Sequence, residues 1–155
     1  MKSLWIFASC LLLCVACAPP YTFHFKTLDP AASTRLLVLR IDQDCPDTLG
    51  RALHQALLDY QIPNTFDSVI LRNTTHTANP APLFLQAGFD GMLRLRCDTD
   101  TSMTLQLFQL APRHLLWEAK VTLQTSRIED AVDALYDAVE HLVDSRMVQP
   151  RQPEQ

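Results

Sequence analysis

Five cysteines are the side chains of this sequence best suited to chemistry, because a thiolate is both a nucleophile and half of a disulfide bond. They fall into two groups, one near the amino terminus and one in the body of the chain: Cys10, Cys14 and Cys17, then Cys45 and Cys97. The two groups predict two kinds of chemistry, modification near the amino terminus and pairing in the body.

The amino terminus has the pattern of a secretion signal. Lys2 is the only charge before an apolar run over residues 4–16. A membrane-spanning helix needs about 20 apolar residues, and this run has 13 before Pro19 and Pro20 follow. The pattern therefore predicts a signal over residues 1–16 that is cleaved on export.

Residues 14–17 (Cys-Val-Ala-Cys) resemble the bacterial lipobox, in which a small residue precedes a cysteine that receives diacylglycerol, although Cys14 stands where leucine is usual. The resemblance implies that Cys17 begins the mature protein and carries two or three fatty acyl chains, such as palmitate, as a lasting anchor. Ala18 in place of aspartate resembles the outer-membrane sorting signal, which implies a lipid-anchored protein facing the periplasm. The alternative is an ordinary secretory signal cut after Ala16 or Ala18, which leaves Cys17 as a free thiol or removes it.

Cys45 and Cys97 each follow the carboxyl end of a predicted strand. If those strands run parallel as neighbours, the two thiols lie within bridging distance, and an oxidising compartment lets them pair. The closed loop of about 53 residues would add roughly 4 kcal/mol of stability in the chain-entropy model. The alternative is two separate buried thiols, since cysteine is often found in cores.

The remaining candidates for chemistry do not combine into a catalytic or metal site. The histidines lack the spacing that presents two imidazoles to one metal: His24, His54, His76, His114 and His141. Asp42, Asp44 and Asp47 lack the glycine bend and terminal glutamate of a calcium loop, and are interpreted as a cluster at a helix start. Ser68 and Ser102 have no nucleophile-elbow context, and three glycines offer no phosphate loop. We therefore expect no enzyme activity, no metal and no cofactor.

Composition indicates one globular domain. The chain is 48% hydrophobic and 19% charged, a composition too apolar for a disordered protein. Its 155 residues are too few for two domains with separate cores. The net charge is −4, or −5 once Lys2 leaves with the signal, and no basic run is present. Nucleic acid is therefore not an expected partner.

Hydrophobic periodicity predicts an α+β fold in the order βαβαβββα. Two main helices and one short helix should cover one face of a mixed sheet of about five strands. The predicted strands are 36–41, 66–71, 91–97, 103–107 and 115–123, and the predicted helices are 46–60, 80–88 and 128–147. The domain boundaries are a signal over 1–16, a lipidated tether over 17–34, a single domain over 35–148 and a polar tail over 149–155.

A mixed-charge surface is expected on the sheet face that the helices leave open. Arg94 and Arg96 alternate with apolar residues in one strand, and Glu118 and Lys120 do so in another. This face is the predicted partner surface, and the alternative is a solvated sheet face with no partner.

Two segments resemble the small α/β domain at the amino terminus of TolB and in envelope lipoproteins of the LpoB, CsgG and transport-auxiliary types. Residues 87–93 (Ala-Gly-Phe-Asp-Gly-Met-Leu) are similar to the entry to one of their strands, and residues 115–119 (Leu-Leu-Trp-Glu-Ala) to their second hairpin strand. The resemblance covers residues 35–148 and implies architecture. It also implies a non-catalytic periplasmic binding or scaffold accessory of a larger envelope assembly or transport complex.

Two alternatives remain open. The chain also resembles LptE, the lipopolysaccharide-assembly lipoprotein, in its lipidated cysteine, short aromatic tether and order of elements, with Ala18 where LptE has glycine. The third candidate is an enzyme of cell-wall or lipid metabolism, which would need clustered polar residues in a deep pocket.

Overall fold

One mixed sheet of six strands forms the framework of the protein, whose computed structural model describes residues 18–72 and 78–151. The strands are β1 (Tyr21–Thr27), β2 (Leu37–Ile41), β3 (Asn64–Phe66), β4 (Gly91–Thr99), β5 (Ser102–Leu110) and β6 (Arg113–Leu123). The helices are α1 (Asp47–Asp59), α2 (Asp67–Leu71), α3 (Ala81–Gln86) and α4 (Ile128–Asp144). None of these helices is long and apolar enough to cross a bilayer. The predicted signal and Cys17 lie outside the described residues.

The strand order is β1-β6-β5-β4-β2-β3, which confirms the α+β class. β4, β5 and β6 form an antiparallel meander, and β2 pairs in parallel with both β4 and β3. The meander matches three predicted strands because their apolar residues alternate with period two and face one core.

β1 is an additional strand that lies inside residues 17–34, the predicted tether. Tyr21, Phe23 and Phe25 face the main core, and every residue of β1 pairs with β6. The prolines that suggested a loose segment flank this strand and do not interrupt it. The sheet therefore has six strands where about five were expected. The predicted tail also contacts the domain, since the backbone N–H of Gln149 donates to the Thr34 carbonyl at 2.9 Å.

The predicted strand over residues 66–71 is wrong beyond its first residue. β3 ends at Phe66, and α2 begins at Asp67. A carboxylate is favourable in the first turn of a helix, and β3 pairs with only the first three residues of β2. The chain therefore leaves the sheet after Phe66, although β2 continues to Ile41, and the rest of the apolar run is helical.

The short helix lies on the opposite side of the sheet from α1 and α4, so the expectation of all helices on one face is wrong. Val38 and Met92 point away from the main core because side chains alternate along β2 and β4. Phe84 of α3 is fully buried with them in a second apolar cluster that also contains Leu110. The nearly continuous apolar sequence of β2 thus needs a cover on both faces.

The main core lies between the sheet and the paired helices α1 and α4. Trp117 is fully buried at its centre, and apolar residues of β2, β4 and β5 surround the same layer. Tyr21 fastens β1 to α4, because its hydroxyl donates to the Asp137 carboxylate at 2.6 Å. The helical spacing of apolar residues in α4 places Leu135, Val139 and Leu142 in this core.

The Ala-Gly-Phe-Asp-Gly segment shapes the entry to β4. Gly88 has a φ of 91°, a left-handed conformation that ends α3 as the sequence predicts. The Asp90 carboxylate accepts the backbone N–H groups of Arg35 and Leu36 at 3.0 and 2.9 Å, which ties the start of β2 to β4. The segment therefore serves architecture, as the resemblance implied.

Gly91→Ala should destabilise the domain by about 2 kcal/mol, because an added methyl overpacks a filled site. A Cβ at Gly91 would lie 2.8 Å from both Leu37 Cδ2 and Thr34 Cβ, and those two residues are fully buried. Urea denaturation measures the change. Gly50→Ala is the matched control, since its Cβ would meet only the Ile41 side chain, at 3.2 Å or more, within a helix that favours alanine. Equal effects of the two substitutions would contradict the prediction.

His141 is packed as an aromatic ring inside the core. It stacks on Phe25 with 3.6 Å between ring centroids, and its Nδ1 is buried without a hydrogen-bond partner among the described residues. Burial lowers the pKa of His141, and the Asp144 carboxylate opposes that shift. The folded protein therefore favours the neutral imidazole.

The stability of the domain should fall as the pH decreases from about 7.5 towards 5.5, through the ordinary histidine pKa of about 6.5. Because burial lowers the pKa of folded His141, the unfolded chain binds a proton at this residue more readily than the folded one, so a fall in pH through this window favours the unfolded state. His141→Phe keeps the stacking on Phe25 and should flatten this part of the dependence. Urea midpoints measured across the window test it, and an unchanged slope in the variant would disprove the assignment.

Candidate functional site

The candidate site is the open face, the sheet surface opposite α1 and α4 between β1 and β4. Strand register arranges its polar side chains in two rows that cross four strands. One row is Arg94, Gln106, Glu118 and Lys26, and the other is Arg96, Thr104, Lys120 and His24. All four predicted surface residues, Arg94, Arg96, Glu118 and Lys120, therefore lie on one face.

Arg94 is held within the face by a carboxylate that follows β2. Its Nε and Nη2 donate to the two oxygens of Asp42, each at 2.9 Å. Two parallel bonds fix the guanidinium plane, and both side chains are half-buried. Arg94 thus orders the face, and its donors are already partly satisfied.

Arg96 is the more accessible arginine, with 44% of its side chain exposed. Its guanidinium lies 3.2 Å from the Asp98 carboxylate and 3.8 Å from Asp42. Thr104 also donates its hydroxyl to Asp98, at 2.6 Å. These contacts make an ordered cluster with an exposed cation at its centre.

Glu118 and Lys120 form the second cluster. Glu118 accepts a hydrogen bond from the Gln106 amide at 2.7 Å and is only 17% exposed, whereas Lys120 is 61% exposed with its Nζ 3.9 Å from Glu118. A shallow cavity of about 360 Å³ lies over this part of the sheet and contacts both clusters. The face therefore offers fixed carboxylates and two exposed cations, Arg96 and Lys120.

Asp42 and Asp98 are the site residues that sequence reasoning missed. Asp42 was interpreted with Asp44 and Asp47 as part of a helix-start cluster, but its carboxylate binds Arg94 across the sheet. The partners are 52 residues apart, so local spacing carries no signal of the pair. Parallel pairing of β2 with β4 is what brings them together.

A second cavity, the end pocket, lies where the amino ends of α1 and α4 meet the turn between β4 and β5. Its volume is about 550 Å³, and its polar lining includes Asp44, Asp98, Asp100 and Arg127. The disulfide between Cys45 and Cys97 borders it, with the two Cα atoms 5.1 Å apart. Cys45 precedes α1 and Cys97 lies near the end of β4, the parallel neighbour of β2, as the sequence predicts.

Within residues 18–72 and 78–151, no group of three potential ligands is placed to hold a metal ion. The predicted lipidation residue, Cys17, lies outside these ranges. The candidate surfaces described above are the open face and the end pocket.

No protein-family model matches the chain, and no curated protein matches it. Among solved structures, it is similar to the PelC dodecamer from Paraburkholderia phytofirmans, with a TM-score of 0.54 and 13% identity over 85% of this chain and 99% of that one. A variant of the same dodecamer gives a TM-score of 0.54 and 14% identity. TolB from Acinetobacter baumannii gives a TM-score of 0.45 and 16% identity over 79% of this chain, which spans 31% of TolB. At such identity, the likeness to PelC shows a shared fold alone.

Proposed function

We propose that the chain is a non-catalytic lipoprotein of the bacterial outer membrane that faces the periplasm and binds a protein partner of a larger envelope assembly through its open face. The observation that carries this proposal is the ordered pair of charge clusters around Arg96 and Lys120. The lipobox-like sequence before Cys17 supports the location.

An ordered mixed-charge surface favours specific binding to a protein. The carboxylates of Asp42, Asp98 and Glu118 are already held by neighbouring donors, so little side-chain freedom is lost when a partner arrives. Exposed Arg96 and Lys120 then give charge complementarity, which sets orientation and rejects wrong partners. A lipid anchor adds to this by raising the effective concentration of the domain near other membrane-bound proteins.

A second copy of the chain is one candidate partner. The PelC structures of similar fold are dodecamers. β1 stands at an edge of the sheet, and among the described residues no strand pairs with its outer side. An unpaired edge of seven residues can accept a further strand from another chain.

Photocrosslinking in intact cells tests the proposed surface. A benzoylphenylalanine at Thr122, exposed on the open face, should give a crosslinked product of defined mass, whereas the same group at Gln55, exposed on α1, should not. Mass spectrometry of the product identifies the partner and separates a second copy from another protein. Equal crosslinking at both positions would contradict the open face as the binding surface.

Reversing one exposed charge should weaken the same interaction. Lys120→Glu places a second carboxylate next to Glu118, and we expect about a tenfold loss of the crosslinked product, equivalent to roughly 1.4 kcal/mol. Arg51→Glu is the matched control, because the Arg51 side chain is exposed on α1 and the substitution makes the same change in net charge. If both reversals act alike, the effect is one of net charge and the open face has no specific role.

A further inference from the structure

The folded domain begins very close to the predicted anchor. Only Ala18, Pro19 and Pro20 separate Cys17 from the first residue of β1. The Pro20 carbonyl already accepts a hydrogen bond from the backbone N–H of Gln124 at 2.8 Å, so the chain is fixed to the sheet from that residue onward. Three residues span at most about 11 Å when fully extended. The tether predicted over residues 17–34 is therefore reduced to a short, proline-stiffened link.

One end of the sheet is therefore the nearest part of the domain to Cys17. This anchor end consists of Pro20, the turn over residues 99–102, Gln124 and the amino end of α4. The Leu123 amide donates to the Thr101 carbonyl at 2.8 Å, which holds the turn beside the start of β1. The opposite, far end carries the turn before Arg113, and Thr27, the last residue of β1, lies about halfway towards it, opposite Trp117. The 11 residues of β6 separate the two ends by about 33 Å.

We propose that the anchor end stands against the lipid headgroups of the bilayer and that the far end points into the periplasm. This orientation rests on the proposed lipidation of Cys17. In this orientation the strands stand roughly perpendicular to the membrane plane. The open face is then turned sideways, towards proteins anchored in the same leaflet.

The charge of the anchor end selects the kind of lipid surface. Asp44, Asp98 and Asp100 line the end pocket with Arg127 as a counter-charge, and exposed Ile128 adds an apolar contact. An acid-rich surface attracts the exposed ammonium groups of phosphatidylethanolamine and is repelled by an anionic bilayer within a Debye length of about 8 Å. A zwitterionic, ammonium-bearing bilayer surface is therefore the partner that fits this end.

A matched pair of labelled variants of the full, lipidated protein tests the orientation. Gln124→Cys places a thiol at the anchor end, and Thr27→Cys places one at the last residue of β1, about 20 Å away along the strand; both positions are exposed. The native thiols are occupied by the disulfide and the acyl chain. Each variant carries a fluorophore and is reconstituted in phosphatidylethanolamine and phosphatidylcholine vesicles with a headgroup spin-labelled lipid.

Quenching at residue 124 should be several times stronger than at residue 27, and replacing the zwitterionic lipid by phosphatidylglycerol should reduce it. Insertion of about twelve Gly and Ser residues after Ala18 should remove the difference, because a flexible linker frees the domain from its anchor. Equal quenching at the two positions in an acylated protein would overturn the orientation and leave the anchor intact. An unacylated Cys17 in the purified protein, read by mass spectrometry, would overturn the anchor and the orientation together.

Discussion

Replacing Cys45 and Cys97 together by alanine should lower the free energy of unfolding by about 4 kcal/mol, because the disulfide closes a long loop in the unfolded chain. The two cysteines are 52 positions apart, and the loop between them contains α1, β3, α2, α3 and most of β4. In the chain-entropy model the unfolded state regains this freedom once the bridge is removed. The double substitution leaves no unpaired thiol that could form wrong disulfides.

This loss is large compared with the free energy of unfolding of a typical domain, which is about 5–15 kcal/mol. It amounts to between about a quarter and most of that stability. For a chain of this length we expect the Tm to fall by about 15 °C. Thermal and urea denaturation measure both quantities. The wild-type protein in strong reductant is the internal control, because it should unfold at nearly the same urea concentration as the double variant. A loss below about 1 kcal/mol, or a wild type insensitive to reductant, would contradict a structural role for the bridge.

The sequence was informative wherever local pattern decides structure. Period-two alternation in residues 91–97 and 115–123 predicted two strands of the meander, and helical spacing predicted α1 and α4. The disulfide was predictable for the same reason, because Cys45 follows β2 and Cys97 lies near the carboxyl end of β4, and these two strands pair in parallel.

The sequence was uninformative wherever structure depends on distant contacts. The sequence around Asp42 does not predict that its carboxylate binds Arg94 of the neighbouring strand. The position of α3 follows from Val38 and Met92, whose outward-facing side chains need a cover that sequence order alone does not assign to a face. β1 was missed although Tyr21, Phe23 and Phe25 alternate, since only its pairing with β6 distinguishes it from a loose proline-flanked segment.

The position of β1, close to Cys17 in the sequence, determines how far an anchored domain could move from the membrane. A long tether would let the domain search the periplasm, whereas a lipid on Cys17, only three residues before β1, would hold it at the bilayer. The short link would then limit the partners of the open face to proteins near the same membrane surface. Anchor and binding surface therefore depend on each other in the proposed function.

Cys17→Ser should abolish acylation and release the mature protein from membranes. One acyl chain gives only a marginal membrane affinity of about 10⁴ M⁻¹, but two or three chains add about 0.8 kcal/mol for each buried methylene group, so their loss removes nearly all membrane binding. Fractionation of cells labelled with an alkyne fatty acid measures acylation and retention together. A precursor that keeps residues 1–16 is distinguished by its larger mass and is counted separately.

Cys14→Ser is the matched control for this substitution, because Cys14 lies in the predicted signal and would be removed with it on cleavage before Cys17. It should leave both acylation and membrane retention of the mature protein unchanged. If the Cys17→Ser protein is cleaved, lacks acyl chains and still fractionates with the membrane, then contacts of the folded domain hold it there. The anchor end or the open face would then have to bind the membrane or a resident protein without help from lipid, and the envelope function would rest on that interaction alone.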